Sequence, residues 1–203
     1  MSVKIYFLDV NKTDEHFLYN SSFLYDEDRE YLTKFKERNA YLEHLASLYL
    51  KRRYIGEYNV TNRGKPVSDK CEFNISHSHG MVALAICQDK AVGIDIEKIR
   101  PVDDNLIKYI SSEKEYEYIS NNEKFVEIWT NKESLLKAVG SGIESKVDEV
   151  PGLPLNGMRL YKNKEYRSKT FKYEKFVISI TLEGKEDFKI YLMEEEDCDK
   201  EKK

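Results

Sequence analysis

Only three of the 203 residues are cysteine: Cys71, Cys87 and Cys198. They are odd in number and far apart, and no C-x-x-C spacing occurs, so neither a disulfide framework nor a thiolate metal site is implied. No apolar run approaches the roughly 20 residues that cross a bilayer. The opening MSVKIYFLDVNK has an apolar stretch too short for a secretory leader and lacks the small residues of a cleavage site. An excess of positive charge is missing as well. Lys and Arg total 33 against 37 Asp and Glu, a formal net charge of −4. That argues against a general nucleic-acid binder, though not against a local basic pocket for a phosphorylated small molecule. Tryptophan occurs once, whereas tyrosine occurs 15 times. The balance of 34% charged and 40% hydrophobic residues is that of a globular domain. The expectation is a reduced, soluble, cytoplasmic protein acting without nucleic acid or membrane.

The length fits one good-sized domain or two small ones sharing a core. Val3 to Val10 reads as a strand, and two helical stretches follow, about Asp26 to Phe35 and Ala40 to Tyr54. Thr61 to Lys70 is turn-rich, Phe73 to Ser76 is a short strand, and His77 to Gly80 reads as a loop. Met81–Cys87 and Ala91–Glu97 are apolar runs separated by three residues, a hairpin signature. Ser112 and Glu115 have capping-box spacing. Lys124 to Val139 is a helix stopped at Gly140-Ser-Gly142. Met158–Tyr161, Phe176–Leu182 and Phe188–Met193 read as strands, the last two as a second hairpin, and EEEDCDKEKK reads as a solvated end. The repeated helix-then-hairpin pattern predicts an α+β protein of two similar lobes, residues 1–100 and 101–203, with a boundary around Pro101.

Four short stretches carry chemistry. In AVGIDIEKIRP, Asp95 and Glu97 share one strand face while Ile94 and Ile96 share the other. Two like charges so close repel unless something positive lies between them; taken alone, an exposed face on an edge strand explains them. In WTNKESLLKAVGSG, Glu133 and Lys137 are i, i+4 helix neighbours with Trp129 one turn earlier, an arrangement common on amphipathic helices. Lys132 beside them points to another face. FNISHSHG brings hydroxyls, imidazoles and backbone N–H groups into one turn, a reasonable anion cradle. Gly64-Lys65-Pro66, alone, is a surface turn.

In the order GKP, FNISHS, GIDIEK, WTNKESLLK, these stretches resemble the 4′-phosphopantetheinyl transferase superfamily. The likeness is to its larger, two-lobed branch, which activates nonribosomal peptide and polyketide synthases. The smaller branch, the trimeric holo-acyl-carrier-protein synthases, carries its acidic motif near the N-terminus. The resemblance implies a pseudo-twofold α+β fold, each lobe an antiparallel sheet packed with helices, and a monomer with the active site between its lobes. It implies transfer of the phosphopantetheine arm of coenzyme A to a serine of an acyl- or peptidyl-carrier protein, with release of adenosine 3′,5′-bisphosphate. It also implies Mg²⁺, or Mn²⁺, held by Asp95, Glu97 and Glu133. By the same resemblance Glu133 takes the serine proton, directly or through a metal-bound water, Lys137 stabilises the phosphate charge, and His77 contacts phosphate with Ser76 beside it. Lys65 of Lys65-Pro66 meets the 3′-phosphate.

There are departures from the family pattern. SHSHG is a residue longer than the usual SHSG and leaves His79 unassigned. The helix Ala40 to Leu50 has no Lys or Arg until Lys51, whereas the resemblance leads one to look for an arginine near Leu42, and Arg29, Lys34, Arg38 and Arg53 are candidate substitutes. The segment from Pro101 to Asn121 is expected to border the site. D-x-E followed by E-x-x-x-K is also a layout of metal-dependent phosphohydrolases and nucleases, a reading that leaves SHS and GKP unexplained.

Overall fold

The computed structural model describes residues 1–62, 64–142 and 146–194; the charged end from residue 195 onward lies outside them. Among the described residues, ten strands and six α-helices follow one another in the order β1 (Ser2–Asp9), α1 (Glu15–Tyr19), α2 (Asp26–Leu32), α3 (Arg38–Tyr54), β2 (Asn59–Val60), β3 (Pro66–Val67), β4 (Glu72–Ser78), β5 (Met81–Cys87) and β6 (Val92–Lys98). Then come α4 (Asp104–Ile110), α5 (Glu113–Tyr118), α6 (Asn122–Val139), β7 (Gly157–Tyr161), β8 (Lys164–Tyr173), β9 (Phe176–Glu183) and β10 (Lys189–Glu194). They build two four-stranded sheets, β10-β1-β5-β4 and β6-β9-β8-β7, beside a two-stranded ribbon of β2 and β3. Every pairing is antiparallel except β1 with β10. The fold is α+β.

Alternation explains the layering. Val3, Ile5 and Phe7 of β1 and Ala83 and Ala85 of β5 face Ile94 and Ile96 of β6 and Ile178 and Ile180 of β9, forming a core shared by the two sheets. The opposite face of the first sheet packs Leu8, Val82 and Leu84 against Leu18, Leu32 and Leu45 of α1, α2 and α3. The second sheet carries α6 on its outer face, with Leu135, Leu136 and Ala138 packed near Tyr166. Among the described residues no helix is long and apolar enough to cross a membrane.

Both expected hairpins are corrected. β5 belongs to the first sheet and β6 to the second, and β9 and β10 part in the same way. β5 is buried at almost every position, and so is most of β6. Such runs show no one-sided alternation, so a short spacer between them does not reveal which strand each will pair with. Strand β4 also runs further than expected, through Ser78, and the turn shrinks to His79 and Gly80 between the paired Ser78 and Met81. Both turn residues have positive φ, 48° and 85°, as a two-residue hairpin of this hand requires. That accounts for His79: it is a turn residue.

Candidate active site

The sheets meet where β6 runs beside β4, and side chains join them there. Asn74, Ser76 and Ser78 lie two residues apart on β4 and so share a face, and all three are buried. Their oxygens accept the backbone N–H groups of Ile94 at 3.2 Å, Ile96 at 3.4 Å and Lys98 at 3.4 Å. The two hydroxyls also donate to the acids: Ser76 Oγ to Asp95 Oδ1 at 2.8 Å and Ser78 Oγ to Glu97 Oε2 at 2.7 Å. The serines of SHS therefore orient the acids of D-x-E. Ser76→Ala leaves the Ile96 N–H without its partner and removes one of the two donors to Asp95 Oδ1. It is expected to cost about 1–3 kcal/mol, the usual cost of a lost buried partner, read by urea unfolding; an unchanged midpoint would remove this side-chain ladder as a support of the fold.

Helix α6 brings the other half of the site. It is capped by Asn121 at its start and by Gly140, in the left-handed region, at its end. Gly93 lets it settle directly on β6. A Cβ at Gly93 would run into the Ser134 carbonyl oxygen and the Ala138 amide nitrogen. Further contacts are polar: Thr130 and Ser134 of α6 bond Ser179 and Thr181 of β9, each at 2.8 Å. This docking sets Glu133 and Lys137 over Asp95. Lys137 Nζ donates to Asp95 Oδ1 at 2.6 Å and to Ser76 Oγ at 2.9 Å. The lysine thus pairs with the strand acid and acts on Glu133 through space.

The exposed-face explanation does not survive for Asp95, which is only 5% exposed, while Glu97 is half-buried and Glu133 of α6 is 9% exposed. Burial foremost, then repulsion by Asp95 and Glu97, pushes the Glu133 carboxyl up to about 7, although Lys137 pulls the other way. Glu97 is raised too, by burial and by Asp95, with the Ser78 hydrogen bond and Arg100 opposing. Asp95 Oδ2 and Glu133 Oε1 are buried without a hydrogen-bond donor. Among the described residues no three acidic, histidine or cysteine side chains are drawn into a ready metal cage. The donor chemistry nevertheless fits a hard cation: two orphaned carboxylate oxygens, a third carboxylate alongside and oxygen atoms throughout.

The remaining predicted residues are spread around this centre. Lys65, on the turn ahead of β3, lies with its stem against Gly140, because a Cβ there would sit 3.3 Å from Lys65 Cδ. That places it at the C-terminal end of α6, just beyond Lys137, with Pro66 half-buried beside it. His77 alternates to the face of β4 opposite Ser76 and Ser78, toward α3, and no hydrogen bond joins it to the acids. Its Nδ1 is 2.8 Å from Glu43 Oε2.

Lys132 is fully buried, 2.8 Å from Glu115 Oε2, and donates to the Ile110 and Val147 carbonyls. Glu115 closes the expected capping box on Ser112 N–H and also accepts Gly152 N–H. Lys132 is a clamp between α6 and its surroundings. Arg29 is spent on the carbonyls of Tyr19, Ser21 and Leu24, and Arg38 pairs with Glu15. Asn74, Ser78 and Glu43 were not predicted. The spacing N-x-S-x-S in a strand beside apolar neighbours was a legible signal for the first two; Glu43 had none.

The geometry is a polar strand ladder holding two acids beneath a helix that brings a third acid and a lysine. Known proteins were compared with the whole chain. The family described as the 4′-phosphopantetheinyl transferase superfamily matches residues 91–190, from β6 into β10. The chain is 31% identical to 4′-phosphopantetheinyl transferase gsp of Aneurinibacillus migulanus over 171 residues, covering 75% of this chain and 68% of gsp. It is 33% identical to 4′-phosphopantetheinyl transferase HetI of Nostoc sp., over 46% of this chain and 45% of HetI. It is also 33% identical to 4′-phosphopantetheinyl transferase Sfp of Bacillus subtilis, over 45% of this chain and 44% of Sfp. The chain belongs to the 4′-phosphopantetheinyl transferase superfamily. Its matches span about two-thirds of gsp and under half of HetI and Sfp.

Proposed function

We propose that this chain transfers the 4′-phosphopantetheine arm of coenzyme A to a serine of an apo acyl- or peptidyl-carrier protein, as the family to which it belongs does. The observation that carries the reading is the buried junction of Asp95, Glu133 and Lys137, with two carboxylate oxygens lacking donors. In this reading Asp95, Glu97 and Glu133 hold Mg²⁺, with Mn²⁺ as a substitute. When bound, the cation supplies charge neutralisation at the pyrophosphate. Glu133 takes the proton of the carrier serine at a carboxylate oxygen. The serine Oγ–P bond forms as the pyrophosphate P–O bond breaks, and adenosine 3′,5′-bisphosphate leaves. Lys137 balances charge on the transferred phosphate, anchored by Asp95 and Ser76. Lys65, Pro66, Ser76 and His77 line the coenzyme A side, with Lys65 toward the 3′-phosphate.

The same reading treats residues 1–100 and 101–203 as pseudo-twofold lobes of a cytoplasmic monomer, with β6 and β10 exchanged between the sheets. The presence of two four-stranded sheets, each completed by a strand from the other half, supports the two-lobed part of that reading. Intact-mass spectrometry tests the reaction. Purified protein with coenzyme A, Mg²⁺ and an apo carrier should add one phosphopantetheine arm to the carrier and nothing when Mg²⁺ is removed. Folded protein that modifies none of several carriers, yet hydrolyses a nucleotide or DNA without any carrier, would replace this reading with that of a phosphohydrolase or nuclease.

A further inference from the structure

Glu43 sits on α3, in the helix where an arginine would ordinarily be sought, and its carboxylate enters the turn that follows β4. Oε2 lies 2.8 Å from His77 Nδ1, and Oε1 accepts the Gly80 backbone N–H at 2.6 Å. The Glu43 side chain is 12% exposed and that of His77 34%. A bare carboxylate beside a phosphate site would repel its ligand. Here both oxygens are engaged by donors. Burial alone would raise this carboxyl, but the hydrogen bonds from His77 and Gly80 outweigh it and hold the pKa below the ordinary value, so the group stays ionised. His44 closes another side of the ring, edge-on to His77 at 5.3 Å and itself stacked on Phe35 at 3.8 Å. With Nδ1 committed, Nε2 is the ring nitrogen left without a protein partner among the described residues.

We propose that Glu43 is a positioning residue for His77: its carboxylate accepts Nδ1–H and so turns Nε2 outward, where Nε2–H of the protonated ring donates to an anionic phosphate of coenzyme A. The proposal rests on the reading of the site given above. A carboxylate behind a histidine orients the ring and selects which nitrogen faces the ligand, as outer partners of liganding histidines do. It also balances the charge of the imidazolium when an Nε2–H donates to phosphate. Glu43 is thereby the counterpart of His77, and its negative charge costs the phosphate little.

The test combines transfer kinetics with nitrogen NMR on the full chain. Glu43→Gln should raise KM for coenzyme A by roughly 10- to 100-fold, while KM for the carrier protein stays at its wild-type value. In a His77→Ala background the same substitution should add nothing further. In mildly alkaline buffer, the histidine nitrogen spectrum of the ligand-free wild type should show the Nδ1–H tautomer at His77, and Glu43→Gln should turn it toward Nε2–H. Equal losses in the two backgrounds, or an unchanged tautomer, would overturn the proposal and leave Glu43 as an anchor for the Gly80 turn. If the wild type transfers nothing while the tautomer switches as expected, the functional reading fails and the Glu43–His77 pairing stands.

Discussion

Gly93→Ala is expected to destabilise the protein by about 3 kcal/mol or more and to remove transfer activity with it. One methyl group has this effect because its neighbours are backbone. The added Cβ would overlap the Ser134 carbonyl and the Ala138 amide of α6, and a helix backbone, unlike the tip of a long side chain, has no other rotamer to adopt. Overpacking in a close-packed interior ordinarily costs 1–3 kcal/mol. A clash against backbone on two successive turns belongs at or beyond that upper end. The helix must lift or slide, and the movement falls on Glu133 and Lys137, one residue before Ser134 and one before Ala138. The Lys137–Asp95 pair at 2.6 Å and the Thr130 and Ser134 bonds to β9 would loosen together. For a chain of about 200 residues the loss amounts to roughly 6–12 °C in Tm, read by calorimetry alongside the carrier-modification assay. An unaltered Tm would mean that α6 does not rest on β6 as described.

Glu133→Gln is expected to do the opposite: preserve the fold while lowering turnover by roughly 10²- to 10⁴-fold, the range for removal of a catalytic proton acceptor. Glutamine matches the shape of the side chain and removes its charge from beside Asp95 and Glu97. Coenzyme A binding measured by calorimetry should persist, and undiminished turnover would take Glu133 out of the reaction. The pH dependence of stability gives a second signature. Burial raises the Glu133 carboxyl from an ordinary 4.5 to about 7 in the folded protein. The folded state therefore binds this proton more tightly than the unfolded chain does. The stabilisation is fully present below the unfolded pKa and is lost as pH rises through about 7. Its size is on the order of 3 kcal/mol. In metal-free buffer the wild-type Tm should fall between about pH 5 and pH 8, and Glu133→Gln should flatten that slope. Added Mg²⁺ should restore Tm chiefly at the upper end, where the carboxylates it needs are already deprotonated.

Much of the site was legible in the chain because periodicity alone decides which side chains share a face. Strand alternation puts Asp95 and Glu97 together and turns Ile94 and Ile96 into the core. Helical spacing puts Glu133 one turn from Lys137, and Gly140 ends the helix where a left-handed residue is required. The Ser112–Glu115 box formed as its spacing predicts. Local signals of this kind do not depend on what the rest of the chain does.

Partnership is a different matter, and there the tertiary structure decided. Strand β8 sets Lys164 and Lys172 on the same face as Tyr166, Ser168 and Thr170, and Arg167 and Lys169 on the face of Phe171, so charge on both faces hid the longest strand of the second sheet. β5 and β6, with four residues between them, went to different sheets. Lys137 found Asp95, 42 positions away, and Lys132 found Glu115. Glu43 gained its role from His77, 34 positions on. The sequence by itself determined the faces, the caps and the order of the chemical groups, since these follow from dihedral periods and from residues within a turn of one another. Only the folded chain decided who faces whom, because burial and long-range pairing are properties of two distant segments at once and neither segment carries them alone.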